Sequence, residues 1–240
     1  MIHTLVGMNT SIAPDRIAAG QTYTPPRRGW ALTGAAGGLI GFLGIFLGSG
    51  LTADVGAGIK DNAQLVAVIV DHRELVWLYQ STCATAAACL VVFAAGLHRH
   101  LAMQEPAGSL VPAVAAAGIG LVAVATLVGA GLCTELYWAL KKPDEWDPDS
   151  IAAMVEVFNT ISWLWAGAGL SAAAVAAGGF RHGSVSTWLA GVSVVLAALV
   201  AATQLYPVQY ASLFPGVLWV IVAGLGLGLR RTMSRDAGTA

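Results

Sequence analysis

Six long apolar stretches alternate with shorter polar segments along this chain, and their length predicts the fold. An α-helix needs about 20 residues to cross the hydrocarbon of a bilayer, and each stretch is close to that length. No stretch alternates apolar and polar residues as a barrel strand does, so each must satisfy its backbone hydrogen bonds as a helix. The sequence therefore predicts an all-α, polytopic transmembrane helix bundle with six spans. The predicted spans are Ala31–Leu51, Leu75–Leu97, Leu110–Cys133, Ala152–Gly179, Thr187–Gln204 and Leu213–Leu229.

Three regions follow from this pattern. Residues 1–29 are predicted to form a cytoplasmic N-terminal tail, residues 30–230 the six-helix transmembrane domain, and residues 231–240 a cytoplasmic C-terminal tail. The first apolar stretch is longer than the roughly 7–15 apolar residues of a cleaved signal peptide, so we expect it to be a membrane helix. Met1 and Met8 are both candidate starts of translation.

The composition supports a membrane protein. Hydrophobic residues make up 57% of the chain and charged residues 10%, and the mean hydropathy is +0.72. A soluble domain carries roughly 25% charged residues, so this chain has too little polar surface for a water-facing globule. The small number of basic residues, without interleaved aromatics, also argues against a nucleic-acid partner.

The distribution of charge predicts the orientation. If the N-terminus is cytoplasmic, eight of the 12 basic residues lie on the cytoplasmic side, as the positive-inside rule requires. These eight are Arg16, Arg27, Arg28, Arg99, Arg181, Arg230, Arg231 and Arg235. Only three acidic residues, Asp15, Glu105 and Asp236, fall on that side. We therefore predict a multi-pass protein of the plasma membrane with both ends in the cytoplasm.

Two of the connections between spans carry specific predictions. The segment Asp61–Arg73 mixes polar ends with apolar residues, so it is expected to lie as a short helix on the membrane surface or to extend the second span outward. The segment Lys141–Ser150 is polar, and Pro143 and Pro148 are expected to stop the helix there. Asp149 or Ser150 is then the predicted cap of the next helix.

Glycine is frequent in the first span. Small residues four positions apart allow two helices to approach closely, either within one bundle or between two chains. The sequence therefore leaves open a packing role inside the bundle and a homodimer or membrane-protein partner docked on this helix. The spaced pairs are Gly34 and Gly38, Gly37 and Gly41, and Gly44 and Gly48.

Several features between Asp61 and Arg231 carry a family resemblance. Asp71-His72-Arg73 leads into a helix that closes with the segment 97–101 (LHRHL), and a Gly-rich third span and the segment 185–191 (VSTWLAG) follow. This arrangement resembles a group of six-helix integral membrane proteins of actinobacteria that carry domain-of-unknown-function labels. The resemblance implies the six-helix fold, an actinobacterial type of source and a plasma-membrane location, and it transfers no catalytic residue.

The outer ends of the second, third and fourth spans hold the main candidate site. Glu135 and Glu156 are the candidate catalytic residues. Positions 156, 159, 160 and 163 follow the spacing of one helical face, which predicts an acidic, aromatic-lined depression that opens outward. The candidate binding residues are Glu74, Trp77, Gln80, Trp138, Asn159 and Trp163.

Two readings of these carboxylates stay open. A carboxylate at membrane depth is costly, so it is a functional hypothesis by default. Two buried neighbours would repel each other, and one would keep its proton and act as a proton carrier or general acid. In the alternative, Glu135 and Glu156 lie near the outer boundary for structural reasons, and the Trp and Tyr residues form the interfacial belt.

No other pattern predicts a cofactor or a metal. The histidines at the cytoplasmic side suggest a metal or lipid-headgroup site, but the rings of His98 and His100 point roughly 200° apart on a helix, which favours interfacial anchoring. The three cysteines form no CxxC pair. Phosphate loops, nucleophile elbows, HExxH and the dinucleotide fingerprint are absent from the sequence.

Three functions remain as hypotheses. The first is a non-catalytic membrane protein that works as the partner of another membrane component. The second is a membrane-embedded enzyme that acts on a lipid or isoprenoid, with Glu135 and Glu156 transferring protons and aromatic rings stabilising a cation. The third is a small proton-coupled transporter, which the position of the prolines at helix ends does not favour.

Overall fold

The computed structural model describes residues 29–53, 61–206 and 208–229. Every regular element in those ranges is helical, so the predicted all-α bundle is confirmed. The helices are α1 (Gly29–Ala53), α2 (Asn62–Val70), α3 (Arg73–Ala102), α4 (Val111–Lys141), α5 (Pro148–Thr160), α6 (Ala166–His182), α7 (Thr187–Leu205) and α8 (Leu213–Gly228). The short 3₁₀ turns are Pro143–Glu145, Ile161–Trp165 and Gln209–Ser212. The predicted tails lie outside the described ranges, except for Gly29 at the end of the N-terminal one.

Four helical runs are long and apolar enough to cross a membrane, which indicates a membrane protein. Two shorter apolar helices, Gly29–Gly44 and Leu213–Gly228, coincide with the first and last predicted spans. Six crossings and the side on which the termini lie stay predictions. The four long runs are Arg73–Ala102, Val111–Lys141, Pro148–His182 and Thr187–Leu205.

The helices differ in length, and the difference gives the bundle two unlike ends. At 1.5 Å per residue, the 30 and 31 residues of α3 and α4 each extend about 45 Å, against about 30 Å of hydrocarbon. The 19 residues of α7 and the 16 of α8 extend only about 28 and 24 Å. The α3–α4 and α6–α7 connections meet at one end of the bundle, so the extra length projects at the opposite end.

We name the two ends by their charged side chains. The basic end comprises the end of α3, the α3–α4 connection, the end of α6 and the start of α7, and it carries His98, Arg99, His100, Arg181 and His182. The acidic end comprises α2, the start of α3, the end of α4 and α5. Its carboxylates are Asp61, Asp71, Glu74, Glu135, Asp144, Glu145, Asp147, Asp149 and Glu156.

Two apolar clusters hold these ends. The larger cluster runs through the bundle and includes Phe93, Ile119 and Trp219, all essentially inaccessible to solvent. The indole N–H of Trp219 donates a hydrogen bond to Ser193 Oγ at 2.9 Å, so this buried ring leaves no polar atom unsatisfied. The smaller cluster lies at the acidic end, where α2 packs on α4 and α5.

The glycines of α1 are used within the chain. A methyl group at Gly34 would lie 2.5 Å from the Phe93 ring, and one at Gly38 would lie 2.7 Å from the Ile221 side chain. These contacts bring α1 against α3 and α8. Of the two roles predicted for the glycines, packing inside the bundle accounts for these positions, and a homodimer through α1 stays a prediction.

The segment after α1 forms the predicted short helix. Asp61 caps α2 by accepting a hydrogen bond from the Gln64 backbone N–H at 2.8 Å. The helix ends at Val70, and a two-residue turn separates it from α3, so α2 is a distinct helix rather than an extension of the second span.

The predicted cap of the next helix is wrong by two or three residues. The N-cap of α5 is Asp147, because Pro148 occupies the first helical position. Proline suits this position, since its fixed φ is helical and its missing N–H would have no partner there. Asp149 and Ser150 therefore lie inside the first turn of α5.

The fourth predicted span is also less regular than expected. The α-helix stops at Thr160, a 3₁₀ turn occupies Ile161–Trp165, and α6 begins at Ala166. A 3₁₀ turn has about 3.0 residues per turn instead of 3.6 and changes the direction of later side chains. Glu156, Asn159 and Thr160 therefore belong to α5 and Trp163 to the 3₁₀ turn, and the shared face of the four residues stays a prediction.

Candidate functional site

The acidic end is a small cap with its own apolar core. Leu65 and Ile69 of α2 are buried against Leu140 of α4 and Ile151 of α5. A side-chain hydrogen bond from Asn62 Nδ2 to Asp149 Oδ1, 2.7 Å long, also ties α2 to α5. The cap fixes the helix ends on which the sequence-predicted site residues lie.

The three predicted carboxylates of this end are surface groups. Glu135 and Glu156 are exposed, and the Glu74 side chain is 73% exposed. Glu74 lies 3.6 Å from the guanidinium of its neighbour Arg73. Within the described ranges, no hydrogen bond or ion pair joins Glu135 to Glu156. Their catalytic role stays a prediction, and the structure does not bury them as a pair.

The predicted aromatic residues are surface groups too. Trp77, Trp138 and Trp163 are 52%, 57% and 53% exposed. The ammonium group of Lys141 lies 4.7 Å from the centre of the Trp138 ring, within the range of a cation–π contact.

Gln80 and Asn159 are only partly exposed. The structure therefore places the eight predicted residues on neighbouring segments of one end. No hydrogen bond or ion pair connects any two of them among the described residues.

A polar site that sequence reasoning missed lies at the basic end. Glu105, in the connection between α3 and α4, is buried, with only 1% of its side chain exposed. Its Oε2 accepts a hydrogen bond from Ser109 Oγ at 2.9 Å and lies 2.8 Å from Nδ1 of His182. The His182 side chain is 36% exposed, so the pair runs from the interior to the surface.

The other carboxylate oxygen has a tight and incomplete environment. Glu105 Oε1 and Ser184 Oγ are both buried, and neither has a hydrogen bond of full geometry within the described ranges. Both atoms lie against Gly178, where a methyl group would approach them to 2.5 and 2.6 Å. Glycine at this position therefore leaves room for the carboxylate.

The turn after α6 brings His182 and Ser184 to this site. Gly183 has a φ of +67°, a left-handed conformation that glycine adopts at low cost. Its N–H bonds to the Gly179 carbonyl at 3.1 Å, and the Ser184 N–H bonds to the Gly178 carbonyl at 3.5 Å. The Gly183 bond is the αL motif that ends many helices, and the Ser184 bond turns the chain back over Gly178.

The site favours the charged form of Glu105. Burial by itself raises the pKa of this carboxyl. The hydroxyls of Ser109 and Ser184 and the imidazole of His182 outweigh that effect and bring the pKa below its usual value. Glu105 is thus a buried anion whose charge depends on donors from a distant part of the chain.

The sequence did contain a signal for this site. Glu105 is one of only three acidic residues on the predicted cytoplasmic side, which carries most of the basic residues. An acidic residue in a basic region was therefore a signal for this position. Sequence reasoning grouped His182 with His98 and His100 as histidines that favour interfacial anchoring, and the structure pairs His182 with Glu105. In the described part of the chain, no three His, Cys, Asp or Glu residues form a group that could hold a metal ion.

An apolar groove of about 480 Å³ lies between α7 and α8, toward the acidic end. Leu196, Leu199, Phe214 and Leu218 contribute to its walls. It presents almost no polar atoms, so it offers no group for acid–base chemistry.

Comparison with known proteins adds no analogy for any of these sites: no family model, curated protein or solved structure matches the chain.

Proposed function

We propose that this chain is a six-span protein of the cell membrane that works as the partner of another membrane component and docks it through the acidic end. In this proposal both termini are cytoplasmic and the acidic end lies outside. The proposal rests on one observation, the exposure of Trp77, Trp138 and Trp163 beside exposed carboxylates. Exposed aromatic residues are typical of interface centres.

The depth of Trp138 supports docking outside the hydrocarbon. Trp138 lies 27 residues after the start of α4 (138 minus 111), or about 40 Å along the axis. The hydrocarbon is only about 30 Å thick, so the ring lies at or beyond the headgroups when α4 starts at the opposite boundary. The neighbouring carboxylates Glu135 and Glu156 then favour a partner with a basic surface.

The helix break does not favour transport. Transporters commonly interrupt helices near the bilayer midplane. Here the 17 residues of α6 rise about 26 Å from the basic end before the 3₁₀ turn at Ile161–Trp165 is reached. The break is thus near the far edge of the hydrocarbon rather than at its centre.

Photo-crosslinking in native membranes tests the docking face. A photoreactive amino acid replaces Trp138 in one variant and Phe180 in the control, because both side chains are 57% exposed but lie at opposite ends. We expect a discrete protein adduct at position 138 alone. Glu135→Lys should abolish the adduct, whereas Glu145→Lys should keep it, because Glu145 already pairs with Lys142 at 2.9 Å.

Two outcomes would contradict the proposal. Lipid adducts alone at both positions would leave the Trp residues as an interfacial belt. A protein adduct that survives Glu135→Lys would show that the charge of Glu135 is not needed for docking.

The predicted orientation in the membrane has its own test. A cysteine in place of Asp147 should react with a membrane-impermeant maleimide in intact cells, and one in place of Gln104 only after permeabilisation.

A further inference from the structure

Glu105 and His182 join two connections that are far apart in the chain. Glu105 lies between α3 and α4, and His182 is the last residue of α6. Their 2.8 Å contact fastens the α3–α4 connection to the α6–α7 turn at the basic end. The docking face proposed above lies at the opposite end, so this contact has no part in it.

In the described part of the basic end, the other titratable or charged side chains belong to two helices. On α3 these are His98, Arg99 and His100, and on α6 the neighbour is Arg181. The first turns of α4 and α7 contain no titratable side chain. Among the described residues, Glu105 forms an ion pair with His182 alone.

We propose that Glu105 and His182 form a proton-operated latch between the two connections at the basic end. A charged imidazole supplies both a hydrogen bond and an opposite charge to the buried carboxylate. A neutral imidazole supplies at most an uncharged hydrogen bond, and charge-assisted hydrogen bonds are roughly twice as strong. Histidine side chains ordinarily change charge between pH 5 and 8, so the latch closes in mildly acidic and loosens in alkaline conditions.

The surroundings of Glu105 make the latch sensitive to the charge of His182. Glu105 Oε2 has two hydrogen-bond partners, Ser109 and His182, and Oε1 has none of full geometry. Among the described residues, His182 is the one group that supports the anion with a charge. When His182 loses its charge, the buried anion loses the one ion-pair partner that it has among the described residues.

Hydrogen exchange of the purified full chain in lipid nanodiscs tests the latch. After correction for the intrinsic exchange rate at each pH, amides of residues 103–110 should exchange about tenfold more slowly at pH 5.5 than at pH 8.5. His182→Gln keeps a neutral donor and should remove this difference. His98→Gln is the matched control, because His98 is an exposed histidine of the same end, and it should keep the wild-type response.

Three results would overturn the latch. One is equal protection of residues 103–110 at both pH values in the wild type, a measurement that needs no variant to fold. Another is an unchanged pH response in His182→Gln. The third is loss of the response in His98→Gln, which would assign the effect to the general charge of the basic end.

Discussion

The two ends of the molecule treat their carboxylates in opposite ways. At the acidic end, Glu135 and Glu156 belong to helices, and both are exposed. At the basic end, Glu105 belongs to a connection between helices, and it is buried. The membership of a residue in an apolar stretch therefore does not decide its burial. A carboxylate is buried where the fold supplies donors, and Ser109 and His182 supply them to Glu105.

The ends also differ in what holds them together. The acidic end is a cap of apolar side chains from α2, α4 and α5. At the basic end the bundle core includes Leu101 and Val185, and the one buried residue of the α3–α4 connection, Glu105, is held by a polar network. Apolar packing tolerates a wide choice of surface residues, so the acidic end is free to present a docking face. A polar network depends on each member, so it can respond to a single proton.

The largest expected effect comes from opening the cap. Ile151 is fully buried in the apolar core of the acidic end, so Ile151→Ala should lower the free energy of unfolding by about 2–4 kcal/mol. Hydrogen exchange should show the loss of protection in α2 and α5 but not in α7. Val157→Ala is the matched control on the same helix, because Val157 is 52% exposed. Loosening of the whole bundle by Ile151→Ala would show that the cap is not a separate unit.

The second-largest expected effect is the difference in stability loss between one acid variant from each end. Glu105→Gln should lower the free energy of unfolding by about 1–3 kcal/mol, because a buried group loses charge-assisted partners. Glu135→Gln should not change it measurably, since Glu135 has no partner among the described residues. Denaturant titrations of both variants in detergent would check this. Equal stability losses in the two variants would mean that the ends do not differ as the structure indicates.

The sequence was sufficient to predict the helices, but it was not sufficient to predict the contrast between the acidic end and the basic end. All six apolar stretches became helical, because hydrocarbon-length runs such as Leu75–Leu97 have no other way to satisfy their backbone. The short helix between the first two spans was one of the two alternatives that the sequence left open. The cap of α5 was not, because Asp147, Asp149 and Ser150 are all good capping residues and only the position of Pro148 decides among them.

The buried acid could not be found from local pattern. Glu105 and His182 are 77 residues apart, so their pairing depends on how α3, α4 and α6 pack. The 3₁₀ turn at Ile161–Trp165 was equally hidden, since its sequence continues the apolar pattern without a proline or glycine. Sequence reasoning instead weighted carboxylates inside apolar stretches, which in this structure project from the acidic end.

The pH dependence sharpens the contrast further. The pKa of Glu105 is below its usual value of 4.5, and a lowered pKa contributes stability that is present above the unfolded value and lost as the pH falls through the folded one. The stability advantage of the wild type over Glu105→Gln should therefore shrink as the pH falls below 4.5. Unfolding titrations at a series of pH values would measure it. An advantage that persists undiminished at pH 3 would mean that the carboxylate charge contributes nothing.

The smallest expected effect concerns the polar link within the cap. Asn62 Nδ2 donates to Asp149 Oδ1 at 2.7 Å, but the bond is exposed, so water replaces it at low cost. Asn62→Ala should lower the free energy of unfolding by about 0.5–1 kcal/mol and should raise hydrogen exchange only in α2. Asp61→Ala is the comparison, because it removes the helix cap of α2 instead of the link to α5. If Asn62→Ala destabilised the protein as much as Ile151→Ala, the acidic end would depend on polar contacts as the basic end does, and the contrast between them would fail.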